Sequence, residues 1–377
     1  MSRRRRALAA LLLAAALAPR PAAGAPSPCG LKGVSRVVAV GDVHGSYDRF
    51  VGILQASGLV DAQARWTGGR AHLVQVGDVL DRGAEGPKVV DLLMRLEGQA
   101  AKAGGRVIPL LGNHEVMNML GDLRYVSAEE YRQFRTPDSE RLRSHLYERS
   151  MDRARSAAKA RGEKFDETAF RAKFNEEAPL GWIERKQALA ADGRLGEWLR
   201  KHDTVATIDG VVFVHGGLTP EVAALGCEAI NDRVRKEIGA DVEKTMADPK
   251  ATLAAGENGP LWFRGLARGE TPELEALADG ALRPLAARAI VIGHTVTGTG
   301  RIEVRVGGRV IMIDAGMTDG YGGHAAALEI DGQGRMTAIY PDRREPLDLP
   351  AAADASAPPV GRSLAWAATG YDAAASH

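Results

Sequence analysis

Two hard donors sit one residue apart in Gly41-Asp42-Val43-His44-Gly45, directly after the apolar run Val37-Val38-Ala39-Val40. A tight turn would account for Asp and Gly at that point. A carboxylate and an imidazole held together could equally ligate a cation. The rest of the chain favours the second reading, because the pattern recurs. Asp78 follows His72-Leu73-Val74-Gln75-Val76 in Gly77-Asp78-Val79-Leu80-Asp81-Arg82-Gly83, and Asn113 and His114 follow residues 106–111 in Gly112-Asn113-His114-Glu115. His215 follows residues 211–214 and precedes two glycines, and His294 follows residues 289–292 in Gly293-His294-Thr295. Asp42, His44, Asp78, Asn113, His215 and His294 form an oxygen and nitrogen donor set without thiolate. Such a set suits Mn or Fe, with Zn also admissible, better than it suits a cysteine-rich structural zinc site. An Asp bridging two cations about 3.5–4 Å apart would let them clamp a phosphoryl group and activate water between them.

The elements needed to gather these donors are legible. Short β-branched runs bounded by Gly, Asp, Asn or His read as buried strands. Between the first three lie helical patterns over residues 47–58 and 86–105, the second carrying Val89, Val90, Leu92, Leu93 and Leu96 on one stripe with Gly at its end. Strand–helix–strand alternation predicts an α/β fold. Ligands collect at the carboxyl ends of strands in such sheets, so donors far apart in sequence can converge there. Residues 122–202 differ, being charged throughout and helical in pattern. They read as a helical insertion, either a solvated face or a cap over the site.

Taken in order, GDxHG, GDxxDRG, GNHE, HGG and GHT resemble the metallophosphoesterase (calcineurin-like) superfamily, over about residues 34–330. The phosphoprotein phosphatases, and among them the Shewanella-like bacterial enzymes, share this pattern most closely. The resemblance implies a β-sandwich flanked by helices over residues 34–345, holding two divalent or trivalent ions. Asp42, His44 and Asp78 would hold the first ion. Asp78 would bridge to a second, held also by Asn113, His215 and His294. Arg82 would bind phosphoryl oxygens, as the guanidinium fork suits, with Arg264 of Pro260-Leu-Trp-Phe-Arg-Gly265 as the second phosphate-binding arginine. His114 would protonate the leaving oxygen with Asp81 behind it, and metal-activated hydroxide would attack phosphorus in line. The implied substrate is a phosphoprotein (Ser/Thr, Tyr or both) or a small phosphomonoester. The alternatives are a bis(5'-nucleosyl)-tetraphosphatase-like hydrolase and a non-catalytic metal-binding module. The longer interval between GNHE and HGG sets this chain apart from the eukaryotic serine/threonine enzymes.

Other residues read more plainly. His72 and His202 are expected to be structural, and His324 belongs to a Gly-rich loop. Asp314 would end a strand or stand behind the ligands, and Glu115 would support the site by pairing with an arginine. Cys227 and Arg233 have the Cys-x5-Arg spacing of cysteine-based phosphatases, but Glu228 and Asp232 would repel phosphate and no Gly lies between the ends. A helix start fits that segment better.

Bulk properties narrow the partners. The chain of 377 residues is 45% hydrophobic and 26% charged, as in globular proteins. Residues 1–24 join an Arg-rich start to a short apolar run and small residues, the pattern of a signal peptide, with a loose match to twin-arginine export. Their removal turns the formal charge of +1 into −4, which disfavours a nucleic-acid partner. Export to the periplasm or medium without a stable membrane anchor is expected. Cys29 and Cys227 could then pair, though sequence leaves that open. Residues 348–377, rich in Ala and Pro, read as a disordered tail.

Overall fold

The computed structural model describes residues 27–268 and 272–349. The proposed signal peptide therefore lies outside the described residues, as does the C-terminal tail except for its first two positions. The strands in chain order are β1 (Arg36–Val40), β2 (His72–Gln75), β3 (Arg106–Pro109), β4 (Val205–Ile208), β5 (Val211–Val214), β6 (Ala289–Ile292), β7 (Glu303–Arg305), β8 (Val310–Met312), β9 (Ala327–Asp331), β10 (Met336–Ile339) and β11 (Arg344–Pro346). The helices used below are α1 (Tyr47–Ala56), α2 (Gly86–Lys102), α3 (Asn113–Leu120), α4 (Ala128–Gln133), α5 (Ser139–Ala160), α6 (Glu167–Glu177), α7 (Trp182–Leu189), α8 (Arg194–Leu199), α9 (Pro220–Ala223) and α10 (Cys227–Ile238).

Two mixed sheets form a sandwich, one ordered β11-β10-β9-β1-β2-β3 and the other β4-β5-β6-β8-β7. The centre of each is parallel: Val38 pairs with Leu73 and Leu73 with Val107, while Val212 pairs with Ile290 and Ile290 with Val310. Both faces of these strands are covered, which is why their sequences show no alternation. Val37 and Ala39 of β1 face the core between the sheets with Val74, Phe213, Val291 and Ile311. Val38 and Val40 face outward, where Phe50 and Leu54 of α1 and Leu93 of α2 cover them.

Both early helices end before their predicted limits, at Ala56 and Lys102, because Gly58 and Gly104 turn the chain through positive φ. The sheets are less parallel than strand–helix alternation predicts. Antiparallel strands β9, β10 and β11 extend the first sheet, and β4 and β7 edge the second. Strands as brief and polar as Glu303–Arg305 and Arg344–Pro346 carry no periodic signal.

The charged segment after α3 folds into α4 to α8. Helix α5 is largely exposed, while α4 and α7 each send a charged side chain, Glu130 and Arg185, into the interior. His202 is buried edge-on against Trp198, with ring centroids 4.0 Å apart. Among the described residues no helix is long and apolar enough to cross a membrane.

Cys29 and Cys227 form a disulfide with Cα atoms 5.8 Å apart, tying the segment before β1 to the first residue of α10. The Cys-x5-Arg segment thus offers no thiolate and begins a helix. A cross-link spanning 198 positions restrains a long loop of the unfolded chain. The double variant Cys29→Ser/Cys227→Ser should lose about 2–4 kcal/mol of unfolding free energy in denaturant titrations. An unchanged midpoint would show that the bridge contributes nothing to stability.

Candidate metal centre

Strand ends from both sheets deliver their donors to one buried cluster. Asp42 and His44 follow β1, Asp78 follows β2, Asn113 begins α3 after β3, and His215 and His294 follow β5 and β6. Asp78 stands between two groups. Its Oδ2 is 3.6 Å from His44 Nε2 on one side and 3.2 Å from His215 Nε2 on the other. Asp42 Oδ2 is 4.0 Å from His44 Nε2. His215 Nε2 also lies 2.9 Å from Asn113 Oδ1 and 3.1 Å from His294 Nδ1. Ligating atoms of Asp78, His215 and His294 all fall within 4.8 Å of one another, as do those of His44, Asp78 and His114. The six donors singled out in the sequence are therefore brought together.

The donor set fits a pair of cations. His44 Nδ1–H donates to the Leu80 carbonyl at 2.9 Å, and His215 Nδ1–H donates to the Val76 carbonyl at 2.9 Å. Each ring is thereby fixed in the tautomer that turns an Nε2 lone pair inward, as metal-ligating histidines are. His294 Nε2 is buried without a hydrogen-bond partner. Glycine is required where ligand carboxylates crowd the backbone: a Cβ on Gly112 would strike Asp78 Oδ1, and one on Gly293 would strike Asp42 Oδ1.

The backbone holding these groups is strained. His44, Asp78, Asp81, Arg82 and His294 all have positive φ, between 45° and 67°. Such conformations cost about 1–3 kcal/mol each and persist only where neighbours enforce them. Here the neighbours are buried carboxylates. Glu115, 1% exposed, accepts from the N–H groups of Asp78 (2.8 Å), Val79 (3.0 Å), Leu80 (3.2 Å) and Gly112 (2.9 Å). Glu130 accepts from Asp81 N–H at 2.9 Å, and the Tyr125 carbonyl accepts from Arg82 N–H at 2.9 Å. The expectation that Glu115 pairs with an arginine is thus corrected: backbone amides take up its carboxylate.

Electrostatics mark the same place. Burial, then the Asp314 and Asp78 carboxylates, raise the Asp42 pKa well above its usual range. Burial acts the same way on Asp78, but His215 and His114 outweigh it and hold Asp78 well below. Burial raises Asp314 to about 6, lowers His44 to about 4 and, with His215, lowers His294 well below its usual value. Carboxylates that resist ionisation beside neutral imidazoles are the complement of bound cations. His114 goes the other way. Burial disfavours its charge, yet Asp78 and the 2.7 Å hydrogen bond from Nδ1 to Asp81 Oδ2 raise its pKa overall.

The cluster opens into a cavity of about 310 Å³ lined also by Arg82, Arg264, Tyr125 and Tyr321. Arg264 Nη1 donates to the His294 carbonyl at 2.6 Å and Thr295 Oγ1 at 2.8 Å. The Arg82 guanidinium lies between two tyrosines, 4.6 Å from the Tyr125 ring centre and 5.1 Å from that of Tyr321. His324 is exposed, and His72 sits on β2, away from the cluster. Sequence reading missed Tyr125, Tyr321, Asn118, Glu130, Arg185 and Gln75. Gln75 bonds the Gly41 carbonyl and both polar groups of Gly77. A Gln inside an apolar strand was the one available signal.

The chain matches the calcineurin-like phosphoesterase family over residues 35–298. It is 33% identical over 289 residues to Shewanella-like protein phosphatase 2 of Arabidopsis thaliana, covering 76% of this chain and 72% of that one. It is 25% identical to Shewanella-like protein phosphatase 1 of Plasmodium berghei, with 76% and 68% covered. The cold-active protein-tyrosine phosphatase of a psychrophilic Shewanella species superposes with a TM-score of 0.64 at 28% identity, covering 84% of this chain and 82% of that one.

Glu115→Gln would turn one acceptor oxygen into a donor facing two buried amides. It should lower stability by about 2–5 kcal/mol and weaken Mn binding about 10–100-fold by calorimetric titration. A variant with wild-type melting and wild-type Mn affinity would contradict the role given to this carboxylate.

Proposed function

The chain belongs to the calcineurin-like phosphoesterase family, and from that premise we propose an exported, metal-dependent phosphoprotein phosphatase in which two ions would be held around Asp78. The observation that carries this reading is the placement of Asp78 between two donor groups, with Arg82, Arg264 and His114 on the open side. Asp42 and His44 would hold one ion with Asp78, and Asn113, His215 and His294 the other. Bound there, two cations supply Lewis-acid catalysis and a nucleophile active at neutral pH. The oxygen and nitrogen donors favour Mn or Fe, with Zn admissible.

The protein's own side chains do the remaining work. Arg82 and Arg264 hold the phosphoryl oxygens, replacing water by guanidinium donors. His114, whose charged form Asp78 and the bond to Asp81 both favour, gives its Nε2 proton to the leaving oxygen as the ester bond to phosphorus breaks. The tyrosines flanking Arg82 are each 38% exposed. They offer apolar walls to a phenyl ring, which supports phosphotyrosine as the preferred residue. The name of the Shewanella relative, a protein-tyrosine phosphatase, supports it too. The signal-like leader and the disulfide support export, since such bridges persist in oxidising compartments.

The test uses protein stripped of metal and reloaded with Mn, Fe or Zn. Phosphotyrosine peptide, phosphoserine peptide, p-nitrophenyl phosphate and diadenosine tetraphosphate are then compared by kcat/KM. Phosphotyrosine peptide should rank first, and a preference for the dinucleotide would overturn the substrate reading. His114→Asn should cut kcat about 10²–10⁴-fold while metal content stays near normal. Loss of an ion from that variant would make His114 a ligand instead of the acid.

A further inference from the structure

Arg185 is the largest side chain fully buried among the described residues, 1% exposed, and it enters from α7 of the helical insertion. Each of its three guanidinium nitrogens donates a hydrogen bond. Nη2 donates to Asp81 Oδ1 at 3.1 Å, Nε donates to Glu130 Oε1 at 2.8 Å, and Nη1 donates to Asn118 Oδ1 at 2.7 Å. Asn118 in turn donates to both Asp81 oxygens at 3.0 Å and to the His114 carbonyl at 2.8 Å. Glu130 accepts the Asp81 N–H. Tyr131 and Phe134 flank the guanidinium, their ring centres 5.7 and 5.9 Å away. Apart from His114, every polar partner of the Asp81 side chain is Arg185 or is held by it.

We infer that Arg185, with Glu130, is a positioning residue: it docks the helical insertion onto Asp81 and so fixes the carboxylate that orients His114 for leaving-group protonation. The inference rests on the acid role given to His114 above. A buried charge with three hydrogen-bonded partners is a poor source of bulk stability, but it specifies one arrangement, because misdocking strands it without compensation. Much of α5 and α6 is solvated, yet the same insertion carries the group on which Asp81 depends. The sequence left open a cap and a solvated face, and the exposure of α5 fits the second. Neither anticipated a support behind the dyad.

If Arg185 acts through His114, its loss must matter most where the leaving group needs a proton. The experiment compares Arg185→Gln and Arg185→Lys with wild type on a phosphotyrosine peptide, whose basic phenolate leaves poorly without a proton, and on 2,4-dinitrophenyl phosphate, whose phenolate leaves unaided. Arg185→Gln should lose about 10–100-fold in kcat on the peptide, with KM, metal content and activity on the dinitrophenyl ester within threefold of wild type. Arg185→Lys keeps the charge without the planar fork and should recover part of the loss. Equal losses on both substrates, or none on either, would overturn the inference. Should Arg185→Gln fail to fold, Glu130→Gln, which keeps an acceptor for Asp81 N–H, decides on the same ratio. A wild-type protein inactive on both substrates would instead refute the phosphatase reading itself.

Discussion

The amides of residues 78–82 point away from solvent in a stretch where Asp78, Asp81 and Arg82 take a conformation that L-residues avoid, and each amide has one designated acceptor. Glu115 takes three of them, Glu130 the fourth and the Tyr125 carbonyl the fifth. This is the constraint behind the whole site. Asp78, Asp81 and Arg82 can hold positive φ only because buried oxygens meet every N–H. In that conformation one short loop turns Asp78 toward His44 and His215, Asp81 toward His114 and Arg82 toward the mouth. A relaxed loop would scatter those three functions.

The sandwich supplies what the loop needs from a distance. Apolar contacts on both faces of β1 and β2 fix where the loops start. Bonds between the sheets then join the two halves of the cluster: His215 Nδ1 donates to the Val76 carbonyl, and His294 N–H donates to Asp42 Oδ1 at 3.0 Å. Bonds to backbone groups thus orient His44, His215 and Asp42, alongside the contacts these side chains make with one another. That is the preorganisation expected where charge must be stabilised without rearrangement.

Legibility in the sequence followed the physics. Asp42, His44, Asp78, Asn113, His215 and His294 were visible because ligand chemistry restricts residue type and because buried strands end at them. Central strands were visible through their β-branched runs. Glu130 and Arg185 were not, because in a segment rich in charge nothing marks the two residues that turn inward. Tyr125 and Tyr321 stayed hidden for a related reason: they act from loops, where no periodicity shows which way a side chain faces. The partner of Glu115 was misjudged, though not its supporting place, because backbone amides leave no trace in side-chain patterns. The β7 and β11 edges were missed because strands of three residues, broken by charge, look like loops.

The account's central claim is that Asp78 is shared by two ions. Anomalous diffraction from crystals soaked in Mn tests it most directly. Two peaks about 3.5–4 Å apart, one beside Asp42 and His44, the other beside Asn113, His215 and His294, and both against Asp78, are the expected result. A single peak, or peaks bound away from Asp78, would contradict it.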